Sequence, residues 1–237
     1  MRINKYISET GHCSRREADK LVAEGRVTIN GAPAELGSQA EPGDEVRVDG
    51  TLIGDRSPLV YIALHKPVGI TSTTERHVRG NIVDFVGHRE RIFPIGRLDK
   101  DSEGLILMTS DGDIVNRILR AEGQHEKEYI VTVDQPVTEQ FVDTMRTGVK
   151  VLGSMTLPCQ VERVGAQTVR MILTEGRNRQ IRRMCAALGY RVRRLQRVRI
   201  MNIQLGELPV GQWRDLGRGE LEQLFRTLDY RPAVSPR

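Results

Sequence analysis

Gly96-Arg97-Leu98-Asp99-Lys100-Asp101-Ser102-Glu103-Gly104 lies between two apolar runs, Arg91–Ile95 and Leu105–Thr109. Each run has the length of a strand, and the loop is bracketed by glycine and dense in both charges. Such a loop, held by a rigid sheet, is a place where a fold can present reactive groups. Further strands are expected at Leu59–Leu64, Tyr129–Val133, Thr168–Thr174 and Arg197–Ile203. Helices are expected at Asp113–Arg120, Thr138–Thr147, Asn178–Leu188 and Leu221–Leu228, the last with leucines at helical spacing. The two kinds interleave irregularly with hairpin-length gaps. That order predicts an α+β fold on a mixed, mainly antiparallel sheet, not a doubly wound parallel one.

Upstream, residues 1–48 read as a separate small unit. Ile3 and Ile7 give a helical stripe ending near Gly11. Ser14-Arg15-Arg16-Glu17 has the form of a capping box that opens a second helix, with Gly25 as its stop. Val27–Ile29 and Glu45–Val48 read as strands, and Asn30-Gly31 as a tight turn. Arg15, Arg16 and Lys20 lie off the apolar face of the second helix and are candidate RNA contacts. The unit is not basic overall: residues 1–50 hold seven Lys or Arg against nine Asp or Glu. A purely structural or protein-binding role therefore stands open on charge alone. The polar stretch 49–58 reads as a linker, 59–230 as the second domain, and 231–237 as a disordered Pro-rich tail.

Composition narrows the classes. No apolar run approaches a membrane span, and the N-terminus lacks the pattern of a signal peptide, so a soluble, cytoplasmic protein is expected. Cys13, Cys159 and Cys185 are odd in number and far apart, which suits free thiols, not a disulfide framework or metal site. No metal is expected; His125 begins His-Glu-Lys-Glu-Tyr, with Tyr129 where a zinc protease needs its second histidine.

The net charge of +5 hides an asymmetry. Between Gly176 and Gly206 there are nine arginines and no acidic residue, so the remainder is net acidic. A block of one sign attracts a polyanion, and arginine suits forked contacts to phosphate. Arg179 and Arg183 project away from the apolar stripe of the helix expected there, toward phosphate; Arg182 lies on its flank. The bland alternative is a solvated charged face.

The loop itself allows four readings. Asp99, Asp101 and Glu103 imitate a calcium loop, but position twelve is Ser110 where a bidentate Glu is required. Asp99 with Asp101 or Glu103 could form the carboxylate pair of a glycosidase or nuclease, residues two apart in extended chain being roughly 6.6 Å apart. The charges could pair with one another in a solvated hairpin. Or one carboxylate acts as a nucleophile, held ionised by an arginine.

Three more segments bear on that choice: Lys66-Pro67-Val68-Gly69-Ile70-Thr71-Ser72, Glu126-Lys127-Glu128-Tyr129, and Gly176 through Met184 containing Asn178-Arg179-Gln180-Ile181-Arg182-Arg183. In order and spacing, with the Gly96–Asp99 loop, they resemble the RsuA/RluB/RluE/RluF-type family of bacterial ribosomal-RNA pseudouridine synthases. Gly96 through Ser102 and the segment 81–85 look most like the RluF branch. Residues 1–48 resemble the S4-like RNA-binding domain of such enzymes. The resemblance covers nearly the whole chain and implies an isomerase that converts a specific uridine to pseudouridine without cofactor. The implied partner is structured RNA, 23S ribosomal RNA in particular, met by a monomer. It implies Asp99 as the catalytic carboxylate, Arg182 as its partner, Tyr129 stacked on the target base, and Arg97 filling the space that base leaves. Two rivals remain: a catalytically silent ribosome-binding protein, and the RNA glycosidase or nuclease above.

Overall fold

The structure is a computed structural model that describes residues 1–54, 58–75, 77–120, 123–232 and 235–236. Its N-terminal unit begins with α1 (Ile3–Glu9) and α2 (Arg15–Ala23), packed on a sheet of order β2-β1-β3-β4. The strands are β1 (Val27–Ile29), β2 (Ala32–Pro33), β3 (Val46–Val48) and β4 (Thr51–Leu52). Ser14 Oγ accepts from the Glu17 amide while Glu17 accepts from the Ser14 amide, the expected reciprocal cap. Ile3, Ile7, Ala18, Val22, Val27 and Val46 close a small core. Asn30 and Gly31 both take positive φ, as the two-residue turn between β1 and β2 requires.

One boundary differs from expectation. Residues 49–58 are expected as linker, yet Thr51–Leu52 pairs with β3 and Ile53 is buried in the N-terminal core. Asp49 and Gly50, at φ 50° and 75°, turn the chain into that extra hairpin. Part of the expected linker, residues 55–57, lies outside the described residues. The tail also differs where it is described: Leu59 N donates to Ser235 O, and Leu59 and Pro236 form a parallel bridge. Residues 233, 234 and 237 lie outside the description.

The second unit is built on a sheet of order β11-β12-β8-β13-β7-β5-β15. Its central strands are β5 (Tyr61–Lys66), β7 (Glu103–Thr109), β8 (Lys127–Val133) and β13 (Val192–Ile200). Outside them lie β11 (Gln160–Gly165), β12 (Thr168–Leu173) and β15 (Trp213–Asp215), while β6 (Phe93–Ile95) also pairs with β7 and β14 (Ile203–Gln204) with β13. A small hairpin of β9 (Lys150–Val151) and β10 (Ser154–Met155) stands apart. Among the described strands of this sheet only β7 and β13 run parallel, so the mixed, mainly antiparallel α+β expectation is met.

The continuous apolar runs of β5 and β7 follow from their place between two layers. Ile62, Leu64, Ile106 and Met108 point into one core, with α5 (Glu139–Thr147) and α6 (Gln180–Ala187). Tyr61, Ala63, Leu105 and Leu107 point into the other, under α4 (Gly112–Leu119) and α7 (Arg218–Thr227). A strand covered on both faces loses its polar alternation, and each fully buried Leu or Ile contributes about 1.5–3 kcal/mol. A short α3 (Ile82–Val86), capped by Asn81, completes the first layer. On the opposite layer the buried Asp111 accepts from the Tyr61 and Tyr230 hydroxyls, both at 2.6 Å, and so ties the chain's last helix region to β5. Between the units, Lys5 Nζ lies 2.6 Å from Asp113 Oδ2 and Arg15 3.7 Å from Asp113 Oδ1.

Candidate active site

The 96–104 loop leaves β6 and enters β7 at the ends of these strands, and its shape is set by contacts on two sides. Segment 66–72 lies along one: Gly69 N donates to Lys100 O at 2.7 Å, and Ser72 Oγ donates to Leu98 O at 2.8 Å while accepting from the Leu98 amide. From the other side β13 pairs in parallel, placing Arg197 beside Gly104. A Cβ on Gly104 would collide with the Arg197 carbonyl and lie 2.5 Å from its nitrogen, so this close approach admits only glycine.

Beside the loop opens a cleft of about 660 Å³, lined in part by Asp99, Tyr129, Leu173, Arg182, Leu195 and Arg197. Its size suits a nucleotide-scale ligand. The Asp99 carboxylate is about one-third exposed. Among the described residues its ion pair is with Arg179 Nη1, at 3.8 Å. Tyr129 sits on β8, opposite Arg197, half-buried with its ring against the core. The expected trio of Asp99, Tyr129 and Arg182 therefore lines one cleft.

The arginines do not divide as their helical projection suggests. Arg179, expected to face phosphate, instead grips Asp101 through both Nη atoms, at 3.0 and 2.9 Å. The reason is backbone geometry: Arg179 caps α6 with φ 52°, so a helical wheel does not apply to it. Arg182 is expected against Asp99. Its Nη2 donates to Asp101 O at 2.7 Å and Ser102 Oγ at 3.0 Å, and its Nε lies 3.4 Å from the Asp101 carboxylate. The Arg179 bonds, followed by the Arg182 charge, hold the Asp101 carboxyl below its ordinary range. Arg183 donates to Asn178 Oδ1 on the exposed side.

Arg97 is exposed, and the acidic side chains near it are engaged elsewhere: Asp101 with Arg179 and Arg182, Glu103 with Arg194. Arg16 and Lys20 are exposed on α2. Arg15 leans instead toward Asp113 of the second unit. The arginine block is thus partly consumed inside the fold, with Arg199 on Glu126 and Glu128 and Arg197 buried at 4% exposure.

Sequence reasoning misses Lys66 and Arg197. Lys66 ends β5 fully buried, donating to Pro67 O. Burial, and then the charge of Arg197, push its pKa down to about 8 against the pull of Asp101, Asp99 and Glu103. A lysine beside a proline gives no sign of burial in sequence, and Arg197 is one arginine among nine. No cluster able to hold a metal occurs among the described residues.

Comparison with known proteins places this geometry. Residues 60–187 match the RNA pseudouridylate synthase family model and residues 1–46 the S4 domain. The chain is 55% identical to the dual-specificity RNA pseudouridine synthase RluF of Escherichia coli (strain K12), over 97% of this chain and 80% of that protein. It is 34% identical to an uncharacterized RNA pseudouridine synthase of Aquifex aeolicus, covering 98% and 99%. A solved pseudouridylate synthase superposes with TM-score 0.70 at 32% identity, covering 94% of this chain and 99% of that one. The chain belongs to the RNA pseudouridylate synthases, as an RsuA/RluF-type isomerase that carries an S4 domain ahead of its catalytic sheet.

Proposed function

We propose that this enzyme isomerises a specific uridine of large-subunit (23S) ribosomal RNA, acting as a cytoplasmic monomer, and that Asp99 is its catalytic carboxylate. The observation that carries the assignment is the placement of Asp99: a carboxylate on a doubly braced loop, opening into the same cleft as Tyr129 and without a hydrogen-bond donor committed to it among the described residues. Asp101 and Glu103, by contrast, are engaged by arginines. That imbalance disfavours a two-carboxylate hydrolase, which needs both members free for acid and base work.

The chemistry breaks the C1′–N1 bond, turns the uracil, and rejoins it through C5, which then gives up its proton while N1 takes one up, so that the product is an isomer. Attack by Asp99 on C1′, attack on the base, and assistance to removal of the 2′ proton all start from an ionised Asp99 touching the nucleotide. Bringing the base there means leaving the stack, at a cost of a few kcal/mol. Stacking on Tyr129 returns about 1–3 kcal/mol. Arg97, exposed at the loop's entry, fills the gap in the RNA. Arg182 acts through the loop, by holding Asp101 and Ser102. Arg16, Lys20, Arg183 and, more weakly, Arg15 are the phosphate contacts.

Pseudouridine mapping of all cellular RNA, with the wild-type enzyme, with Asp99→Asn and without the protein, tests this reading. One or a few sites in 23S RNA should require both the protein and Asp99. Sites confined to other RNA would overturn the target, and a shortened or mass-changed product would overturn the chemistry.

A further inference from the structure

Arg197 is buried, yet its guanidinium joins the two ends of the 96–104 loop. Nε donates to Leu105 O at 2.7 Å, just after the loop, and Nη1 to Arg97 O at 3.4 Å, just before Asp99. Its backbone lies against Gly104 at a distance that excludes any side chain there. Nη2 is buried with no hydrogen-bond partner among the described residues. Lys66 and Lys127 are the neighbouring cations of β5 and β8, and both feel the Arg197 charge. Burying an incompletely paired guanidinium beside two lysines is costly, and an apolar side chain of similar volume would avoid that cost. Packing of the sheet therefore gives no reason for an arginine here; a link between Arg97 and Leu105 does.

We propose that Arg197 is a positioning residue for the reaction: a buried clamp that fixes the entry and exit of the loop and so sets where Asp99 stands in the cleft. The inference rests on Asp99 being the catalytic carboxylate. It assigns to Arg197, in the wall of the cleft, the geometric part of the task expected of Arg182. Arg197 is only 4% exposed there, and its guanidinium bonds run to the loop backbone. Its loss acts through displacement of Asp99, and a displacement of roughly 1 Å at a reacting group can cost about 100-fold in rate.

The test uses the full chain carrying Arg197→Met, which keeps an unbranched apolar stem and removes both bonds, and Arg197→Lys, which keeps charge but reaches only one end of the loop. Single-turnover rates at saturating in vitro large-subunit ribosomal RNA are measured beside RNA affinity and amide exchange across residues 97–105. The expected result for Arg197→Met is a rate lower by about 100-fold, unchanged affinity, and faster exchange confined to the loop, with Arg197→Lys intermediate. A wild-type rate in Arg197→Met, a loss of affinity matching the loss of rate, or unfolding of both variants would overturn the proposal. If only Arg197→Met fails to fold, Arg197→Lys decides by the same readouts. Asp99→Asn, run alongside, separates the premise: if it turns over, the Asp99 reading fails, while the exchange measurement still reports on the clamp.

Discussion

Arg179 holds Asp101 with two bonds of 3.0 and 2.9 Å and stands 3.8 Å from Asp99. Two carboxylates thus share one guanidinium unequally, and the one left open to the cleft is Asp99. Asp99→Asn should keep the fold and RNA affinity and lose at least the roughly 10²–10⁴-fold that a positioned proton-transfer group contributes. Asp101→Asn, which leaves Asp99 intact and releases Arg179, should keep most of the activity. Single-turnover kinetics on the two variants decides; the reverse ranking would move the chemistry to Asp101.

Salt dependence should separate the arginines. Arg183→Ala, Arg16→Ala and Lys20→Ala should each weaken RNA binding. Each should also reduce the slope of log affinity against log salt by about 0.9 for every duplex phosphate left without its cation. Arg182→Ala should instead lower the rate at saturating RNA with little change in slope, and lysine there should restore it only in part. Arg179→Ala should follow Arg182 more than Arg183, because its charge is already engaged by Asp101. Equal slope reductions in all the arginine variants would make Arg179 and Arg182 ordinary phosphate clamps.

Lys66 gives the enzyme a pH signature. Its folded pKa of about 8 lies below the ordinary 10.5. The unfolded chain therefore binds more protons between those values, and stability rises with pH across that window. Below it, the charged buried lysine exerts its full penalty, on the order of 3 kcal/mol for a shift of this size. Lys66→Met should be more stable than wild type at pH 7, with the gap shrinking by pH 10. Urea unfolding at both pH values checks it; a gap that does not change with pH would mean that Lys66 holds its proton as tightly in the folded protein as in the unfolded chain.

Gly104→Ala should be among the most damaging small substitutions in the chain. The added Cβ meets Arg197 backbone, and φ is already +110°. Gly189→Ala, at φ +82° with open space around it, serves as a control and should cost about 1–2 kcal/mol from backbone strain alone. Thermal unfolding should place Gly104→Ala well beyond that value. Similar losses at the two positions would remove the steric argument for the β7–β13 approach.

Removing the N-terminal unit should weaken RNA binding and leave a folded catalytic sheet. The cut belongs after Ile53, not at residue 48, because β4 and Ile53 complete the first core. Circular dichroism and RNA affinity on a chain beginning at 54 check this. Loss of the folded sheet would show the Lys5–Asp113 contact to be part of a larger structural dependence.

Local signals make the framework legible. The Ser14–Glu17 cap, the Asn30-Gly31 turn and the apolar runs of β5 and β7 each depend on neighbours in sequence, and each forms as expected. The loop and Tyr129 stand out because their segments occur in a recognisable order. What stays hidden depends on tertiary context. No pattern announces that Arg179 leaves the helical path, that an Asp-Gly turn adds β4, or that two cations are buried behind the loop. β13 begins earlier than expected because its charged residues, among them Arg193 and Arg194, mask a strand whose pairing is decided by β8 and β7.

The placement of β13 between β8 and β7 also governs when the enzyme becomes an enzyme. Asp99 is synthesised early, but the strand that closes the Gly104 side of its loop arrives more than ninety residues later. Contacts so distant along the chain form late, because the entropy of closing the intervening loop must be surrendered before they stabilise anything. A nascent chain therefore carries its S4 unit and the Asp99 loop well before it carries the strand that frames that loop. Capacity to bind RNA precedes capacity to change it, and the order is written into the strand topology.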